Sequence, residues 1–342
     1  MTIPSTMSAA VHDRYGDADV IRVDEVAVPT IADDEVLVRV EAAGVDRGTW
    51  HLLTGQPYLV RLATGLRRPR MAVLGRDVAG TVVAAGEAVH RLAVGDSVFG
   101  VASGSFAEYA KAKERKLSRR PDSLSAPAAA ILPISGMTAL QAVDAAHLGA
   151  GSTLLVIGAS GGVGSYVVQI AHGLGAHVTG VSRAAKADFV RSLGAERVVA
   201  YDNPAENHDG PYDAIIDTGG DTPLATLRSM LAPRGTLVIV GGEGGDAVTG
   251  MGRQLHARIV SPFVRQRLTF IVNRERQADL ERLGRLVEDS TLKPALDTVY
   301  PLDRAADAVR HLVAGHTQGK AAIAVDRDHT THVPDKPDTP PR

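Results

Sequence analysis

The chain has 342 residues, of which 44% are apolar, and its 37 Lys and Arg nearly balance its 39 Asp and Glu. This length predicts two domains, and the near-zero net charge gives no overall attraction to nucleic acid or to an anionic membrane, so we expect neither as a partner. The absence of Cys excludes disulfides, thiolate nucleophiles and metals bound by Cys.

The first third of the chain has the pattern of β structure. Short strand-like runs cover Val36 to Val40, Val78 to Val83 and Ser97 to Phe99. Glycines at turn spacing separate these runs: Gly75, Gly80, Gly86, Gly95, Gly100 and Gly104. The pattern predicts an irregular antiparallel barrel in residues 1–125.

From residue 126 onward, strand and helix patterns alternate. Apolar strands are predicted at Leu154–Ile157, His177–Val181, Ala214–Asp217 and Thr236–Val240, with helices at Ala184–Leu193 and Thr222–Leu231. Such continuous apolar runs are typical of strands that are covered on both faces. The alternation predicts a doubly wound parallel sheet, an α/β domain that spans residues 126–294.

The two ends of the chain lead to three further expectations. Residues 303–314 have helical periodicity and 321–325 read as a strand, so residues 295–325 are expected to return to the first domain. Residues 326–342 are polar and rich in proline, which predicts a disordered tail. Residues 1–16 lack the basic stretch and apolar run of a secretory signal, and a cytoplasmic protein is the simplest expectation.

A glycine-rich turn follows the first parallel strand. It reads Gly158-Ala159-Ser160-Gly161-Gly162-Val163-Gly164 and leads directly into a helical pattern. Gly161 lets the backbone approach a pyrophosphate, and Gly164 lets the helix pack on the strand. The helix N-terminus offers free N–H groups and a partial positive charge to phosphates. A strand, a glycine turn and a helix in this order favour a dinucleotide site over a purely structural turn.

The end of the second parallel strand indicates which dinucleotide binds. Sites for NAD usually place an acid there, about 20 residues after the glycine turn, on the ribose hydroxyls. This chain has Ser182 and Arg183 instead, with Lys186 one helical turn later. A hydroxyl and two cations suit the 2′-phosphate of NADPH. In the alternative interpretation, the two cations lie on a solvated helix start.

Several segments together resemble the zinc-free quinone oxidoreductase-like branch of the medium-chain dehydrogenase/reductase superfamily. Besides the glycine turn they are Gly44–Trp50, Leu74–Gly80, Gly95–Gly100, Ser105–Tyr109, Gly136–Leu140, Leu193–Ala195 and Gly319-Lys320. The resemblance covers nearly the whole chain. It implies a Rossmann domain plus a discontinuous GroES-like β-barrel catalytic domain, with the active site in the cleft between them, and it implies a homodimer.

The resemblance also assigns residues to the cofactor. Thr138 is expected near the nicotinamide ribose, Tyr201 near the adenosine phosphate, Gly241 and Gly242 under the cofactor, and Phe270 to Val272 beside the carboxamide. Ser160, Gly161, Gly162, Val163 and Gly164 are expected around the pyrophosphate.

The resemblance further implies that no zinc is bound. Zinc-dependent alcohol dehydrogenases of the same superfamily carry Cys and His where this chain has Asp46 and Arg76-Asp77. A catalytic zinc takes three protein ligands, and a cation at Arg76 argues against a metal there. Relatives in the branch usually carry Asn at the position of Asp46.

These features predict hydride transfer from NADPH to a quinone or to the activated C=C bond of an enone or enal. Asp46 is the candidate catalytic acid, since burial would favour its protonated form; in the alternative interpretation it is a surface residue that caps a turn. Trp50, Tyr58 and Phe270 are candidate walls of an apolar substrate slot, or else core residues.

Two other functions are compatible with the same residues. The first is reduction of enoyl thioesters, with Arg61, Arg67, Arg68 and Arg70 on the phosphates of a carrier; alternatively these arginines form a solvated surface. The second is a non-catalytic NADPH-binding partner protein, which the altered segment from Asp46 to Trp50 supports.

Overall fold

The computed structural model of the chain describes residues 2–201, 210–220, 222–241 and 251–325. Gly242 and the predicted disordered tail, residues 326–342, lie outside the described residues. In the described part, no helix has the length and apolar character needed to cross a membrane.

The N-terminal region is built from antiparallel strands, as its strand-like runs and glycines at turn spacing predict. Its elements are β1 (Thr6–Val11), β2 (Arg22–Ala27), β3 (Glu35–Gly44), α1 (Arg47–Thr54), α2 (Val60–Thr64), β4 (Asp77–Ala85), β5 (Ser97–Val101), β6 (Tyr109–Lys113) and β7 (Leu117–Arg119). Strand β3 is the centre, because it pairs with β4 along its length and with β6 at its start. Val36, Val38 and Val40 alternate into a buried apolar cluster inside this sheet.

The second region is an α/β domain. Its elements are α3 (Ala126–Ala130), α4 (Pro133–Ala146), β8 (Thr153–Ile157), α5 (Gly162–Gly173), β9 (His177–Ser182), α6 (Ala187–Ser192), β10 (Arg197–Ala200), β11 (Tyr212–Asp217), α7 (Leu224–Ser229), β12 (Leu231–Val240), α8 (Gly252–Val260), β13 (Arg267–Ile271) and α9 (Gln277–Glu288). All six strands are parallel, in the order β10-β9-β8-β11-β12-β13. This is the strand order of a Rossmann fold, and it confirms the predicted fold class.

The chain then returns to the first sheet. Strand β14 (Leu296–Pro301) and helix α10 (Ala305–Val313) precede strand β15 (Lys320–Ala324), which pairs antiparallel with β3 at Ala42 to Gly44. This sheet consists of β14, β15, β3, β4, β5 and β7, with β6 paired to β3, so it is assembled from segments far apart in the chain. The boundaries at residues 125 and 294 stay predictions.

Candidate active site

The glycine turn lies at the carboxyl end of β8, and its geometry requires glycine. Gly158 has φ = +82°, which favours glycine. A Cβ on Gly164 would lie 2.1 Å from the Gly158 carbonyl oxygen, so only glycine lets α5 pack this closely on the strand. A Cβ on Gly161 would meet nothing nearer than 3.3 Å, so the cradle is open on that side. The turn therefore fits a pyrophosphate that approaches the first N–H groups of α5.

The segment that returns to the first sheet contacts this turn from the other side. The backbone N–H of Gly319 donates to the Ser160 carbonyl at 2.9 Å. The side chain of Lys320 covers Gly162, where a Cβ would lie 2.8 Å from Lys320 Cγ. The start of β15 thus lies against the phosphate turn.

A buried ion pair lies next to this junction. Lys320 Nζ donates to Asp77 Oδ2 at 2.6 Å, and the Ile134 N–H donates to Asp77 Oδ1 at 2.9 Å. Asp77 is fully buried and Lys320 is 2% exposed. Burial raises the pKa of Asp77 to about 6, although the Lys320 ammonium opposes this, and the neighbouring Asp46 carboxylate raises the pKa further. Burial, together with the negative charge of Asp77, raises the pKa of Tyr166 well above its usual value.

Asp46 forms the cap of α1 and is buried, at 6% exposure. Its Oδ1 accepts the Thr49 N–H at 2.7 Å. Its Oδ2 is buried and has no hydrogen-bond partner among the described residues. The alternative of a surface-facing Asp46 is therefore wrong, although the capping role is real. One carboxylate oxygen of Asp46 is therefore buried and left without a hydrogen bond among the described residues.

The residues predicted to bind the adenosine phosphate are a hydroxyl and two cations at and after the end of β9. Ser182 is fully buried at the end of β9, and its carbonyl accepts the Tyr201 N–H at 3.0 Å. Arg183 Nη1 donates to the Gly315 carbonyl at 3.2 Å, and Lys186 Nζ donates to the same oxygen at 2.8 Å.

Lys186 is not a residue of a solvated helix start. It is 9% exposed, and it also donates to the Thr317 carbonyl at 2.6 Å. Burial, followed by the neighbouring Arg183, lowers the pKa of Lys186. These two bonds leave a third N–H on the Lys186 ammonium, and most donors of Arg183 are also left for a ligand.

The predicted nicotinamide residues lie on three different elements. Thr138, on α4, is 8% exposed and donates to the Ile134 carbonyl at 2.7 Å. Gly241 follows β12 with φ = +84°, and a Cβ there would meet nothing within 4 Å. Phe270 packs partly into the apolar cluster beneath β12, whereas Val272, just after β13, is 66% exposed. Open backbone at Gly241 and an exposed Val272 suit a cofactor at the carboxyl edge of the sheet.

The structure separates the two proposed substrate residues. Trp50 packs partly into the apolar cluster under α10, so its ring acts at least partly as core. Tyr58 is 49% exposed, and its ring stacks on the Arg61 guanidinium at 4.9 Å. Arg61 also donates to the Gly55 and Thr54 carbonyls. Arg61 is thus engaged within the fold, unlike a free phosphate-binding arginine.

The positions that bind zinc in related enzymes do not fit a metal here. Arg76 pairs with Glu275, and Lys116 Nζ lies 2.5 Å from the other oxygen of Glu275. Asp77 is committed to Lys320 and Ile134. The described residues include no group of three or more His, Cys, Asp or Glu that could hold a metal.

The sequence interpretation missed the roles of Lys320 and Glu275. Lys320 was recognised only as part of a family segment, and Glu275 carried no signal. Both act through partners far along the chain: Lys320 pairs with a residue 243 positions away, and Glu275 with one 199 positions away.

Comparison with known proteins agrees with this architecture. Residues 32–122 match the alcohol dehydrogenase GroES-like domain and residues 193–323 match the zinc-binding dehydrogenase family. A chloroplastic quinone-oxidoreductase homolog of Spinacia oleracea is 32% identical over 333 residues, 93% of this chain and 98% of that protein. A chloroplastic NADPH-dependent alkenal/one oxidoreductase of Arabidopsis thaliana is 31% identical over 94% of this chain and 80% of that protein. The quinone oxidoreductase from Coxiella burnetii has a similar structure, with a TM-score of 0.83, 26% identity, and coverage of 94% of this chain and all of that one.

The fold and the site define an oxidoreductase with a Rossmann domain and a GroES-like domain. The chain belongs to the medium-chain dehydrogenase/reductase superfamily, in its quinone oxidoreductase-like branch. This confirms the resemblance and indicates an oxidoreductase enzyme over the non-catalytic interpretation of the site.

The comparisons also correct one expectation. The sequence interpretation favoured a cytoplasmic protein, but the relatives from Spinacia oleracea and Arabidopsis thaliana are both named as chloroplastic. The cytoplasmic prediction is therefore wrong. It rested only on the lack of a secretory pattern in residues 1–16, which says nothing about organelles.

Proposed function

We propose that the protein reduces quinones, or the activated C=C bond of enones and enals, with NADPH and without zinc. The observation that carries this proposal is the carboxylate pair Asp46 and Asp77, with Lys320, in the place where related enzymes hold a metal. This cluster adjoins the phosphate turn through Gly319 and Lys320. The names of the relatives from Arabidopsis thaliana and Coxiella burnetii support the same substrate classes.

The residues of the chain would divide the work as follows. A bound NADPH supplies the hydride. The glycine turn would orient the pyrophosphate, with the Lys320 stem packed against Gly162, and Thr138 and Gly241 would border the nicotinamide end. Negative charge that develops on the carbonyl oxygen of the substrate needs a hydrogen bond or a proton. Asp46 would provide it from Oδ2 when that oxygen carries the proton, and Asp46 would be left as a carboxylate after the transfer, which makes it the candidate catalytic acid.

The decisive experiment measures NADPH consumption with a panel of quinones, enones and enals. We expect turnover with these acceptors and none with simple alcohols in the presence of NADP⁺. An enoyl-thioester substrate is the rival, and it predicts a lower KM for the thioester than for the matching free enone. The engagement of Arg61 with Gly55 and Thr54 removes one of the four arginines that such a carrier would use.

Cofactor preference gives the first prediction. Because Ser182, Arg183 and Lys186 replace the ribose-binding acid, NADPH should bind at least about tenfold tighter than NADH, or about 1.4 kcal/mol. Arg183→Ala should remove most of this preference, while Arg191→Ala, which loses an exposed pair with Asp188, should retain it. Titration of both cofactors by isothermal calorimetry measures the ratio. Equal affinities in the unaltered protein would contradict the assignment.

Metal independence gives the second prediction. At the positions of the zinc ligands, Arg76 pairs with Glu275 and Asp77 pairs with Lys320. We therefore expect purified protein to contain less than a stoichiometric amount of zinc, and chelators to leave its NADPH-dependent activity unchanged. Elemental analysis that finds one zinc per chain would refute this.

A homodimer is the third element of the proposal. Strand β13 is an edge of the six-stranded sheet, and α8 packs against it. Leu255, Ile259 and Phe263 form an exposed apolar stripe on and just after α8, at 59%, 58% and 85% exposure. An open edge strand beside an apolar stripe suits a second copy of the chain.

The dimer is tested by charge insertion. Ile259→Glu should yield a monomer in sedimentation equilibrium, because a carboxylate would be buried in the contact. Leu174→Glu, at an exposed leucine on the end of α5, is the matched control and should remain dimeric. A monomeric unaltered protein would refute the proposed interface.

A further inference from the structure

One stretch of the chain segregates positive charge. Residues 47–75 contain five arginines and no Asp or Glu, in a protein with a net charge of −2. The expectation of no membrane partner was based on the net charge of the whole chain, which does not reveal this local excess of positive charge. Charge concentrated in this way creates a local positive potential.

The same stretch exposes apolar side chains. Helix α2 and the turn after it form a loop at residues 56–71, which we call the basic–apolar loop. Leu59, Leu62, Leu66 and Met71 are 46%, 63%, 68% and 46% exposed there. Single exposed apolar side chains are ordinary, but three leucines and a methionine exposed within 13 residues are expected to have a partner.

The arginines of this loop are also available. Arg67, Arg68 and Arg70 are exposed, and their side chains form no ion pair or hydrogen bond within the described residues. Elsewhere on the surface many arginines are paired, as Arg22 is with Asp13 and Arg282 with Asp144. Arg61 differs from these three arginines, because it is half-buried and its guanidinium contacts the rings of Tyr15 and Tyr58 at the base of the loop.

We propose that the basic–apolar loop docks the protein on an anionic lipid surface. The leucines and Met71 would enter the headgroup region, and the three arginines would contact lipid phosphates. Exposed apolar side chains interspersed with cations and without acids are the pattern of an interfacial membrane site. The α8 stripe differs, because it adjoins an edge strand and suits a second copy instead. The inference goes beyond the proposed function, and would give the enzyme access to substrates dissolved in the bilayer.

Vesicle flotation tests the electrostatic part. The unaltered full chain should float with equimolar phosphatidylglycerol and phosphatidylcholine vesicles but not with phosphatidylcholine alone. The triple variant Arg67→Gln, Arg68→Gln, Arg70→Gln should lose roughly a hundredfold in partitioning, since each arginine near an anionic surface contributes about a fivefold factor. The control triple Arg115→Gln, Arg234→Gln, Arg285→Gln removes equal charge from other exposed positions and should still float.

Fluorescence tests the insertion part. The chain has no Cys, so Leu62→Cys carries a single environment-sensitive nitrobenzoxadiazole label. Its emission should shift to the blue when anionic vesicles are added. The same label at Leu174→Cys, which is 42% exposed on the other domain, should not shift. Equal behaviour of the two labels would overturn insertion by the loop.

The outcomes separate docking from catalysis. Reduction of a water-soluble quinone by the Arg67, Arg68 and Arg70 variant should be unchanged, since these residues are outside the proposed catalytic site. A failure of quinone turnover in every form, with flotation intact, would refute the proposed function but not the docking. Failure of the unaltered protein to float at low salt would overturn the docking, and an acidic protein would then become the candidate partner.

Discussion

Lys320→Met should lower the free energy of unfolding by about 3–5 kcal/mol at pH 8, because it leaves the Asp77 carboxylate buried without its cation. The two side chains are 3% and 0% exposed and lie 2.6 Å apart. Urea denaturation at fixed pH, followed by the fluorescence of the single tryptophan, Trp50, measures the loss. Lys293→Met, at an exposed lysine, should change stability by less than about 0.5 kcal/mol.

The pH dependence of this loss of stability follows from the direction in which the fold shifts the pKa of Asp77. An acid whose pKa is raised in the folded state stabilises the protein below its unfolded value of about 3.9, and this contribution is lost as the pH rises through the folded value. With the pKa of Asp77 at about 6, much of the carboxyl is protonated at pH 5. Loss of Lys320 should therefore destabilise the protein less at pH 5 than at pH 8.

A double variant separates the ion pair from simple packing. Asp77→Asn with Lys320→Met removes both charges and should recover a substantial part of the stability lost by Lys320→Met alone. Equal destabilisation at pH 5 and pH 8, with no recovery in the double variant, would mean that the lysine stem, and not its charge, supports the junction.

The parts of the fold that were predictable depend on local pattern. Buried parallel strands such as Leu154–Ile157 have no polar alternation, and the glycine turn after them combines positive φ with close packing, so both are visible in a short window of sequence. The preference for NADPH was likewise predicted from a local fact, the absence of an acid at the end of β9, and the roles of Ser182 and Arg183 in it stay predictions.

The interactions that close the site were not predictable in this way. Asp77 and Lys320 meet because β15 joins β3 beside β4, a pairing between distant segments with no local signature. The burial of Lys186 likewise depends on the carbonyls of Gly315 and Thr317, which arrive from the returning segment. A charged residue in a short window reads as a surface residue until its partner is known.

The burial of Asp46 also depends on this tertiary arrangement, while its capping role is local. As the cap of α1, it needs only an acceptor oxygen, and Asn serves there as well as Asp. The burial of Asp46 follows from the packing of the nearby Gly44. Gly44 lies against the Ala130 carbonyl and Asp77, which brings the end of β3 onto the α/β domain. One oxygen of Asp46 thus caps the helix, and the other is buried without a partner among the described residues.

Asp46→Asn should therefore separate catalysis from folding. Its amide oxygen keeps the bond from the Thr49 N–H, so stability should change little, whereas Asp46→Ala should lose about 1 kcal/mol with the cap. If Asp46 donates a proton to the substrate, Asp46→Asn should lower the single-turnover rate of hydride transfer about 100-fold or more at pH 6, in the range of general acid catalysis. Stopped-flow measurement of NADPH oxidation with a quinone, from pH 5 to 9, records this rate.

The shape of the pH profile identifies the group that titrates. With Asp46 as the proton donor, Asp46→Asn lowers the rate throughout this pH range, because an amide donates a hydrogen bond but no proton. Asp77 has a raised pKa of about 6, with Asp46, Lys320 and Tyr166 as its charged and titratable neighbours. Asp77→Asn is therefore the necessary comparison, because a change of rate that follows the pKa of Asp77 should disappear in this variant. If Asp46→Asn keeps the full rate and Asp77→Asn loses both the rate and its pH dependence, the proton comes from Asp77, and Asp46 acts only as the helix cap.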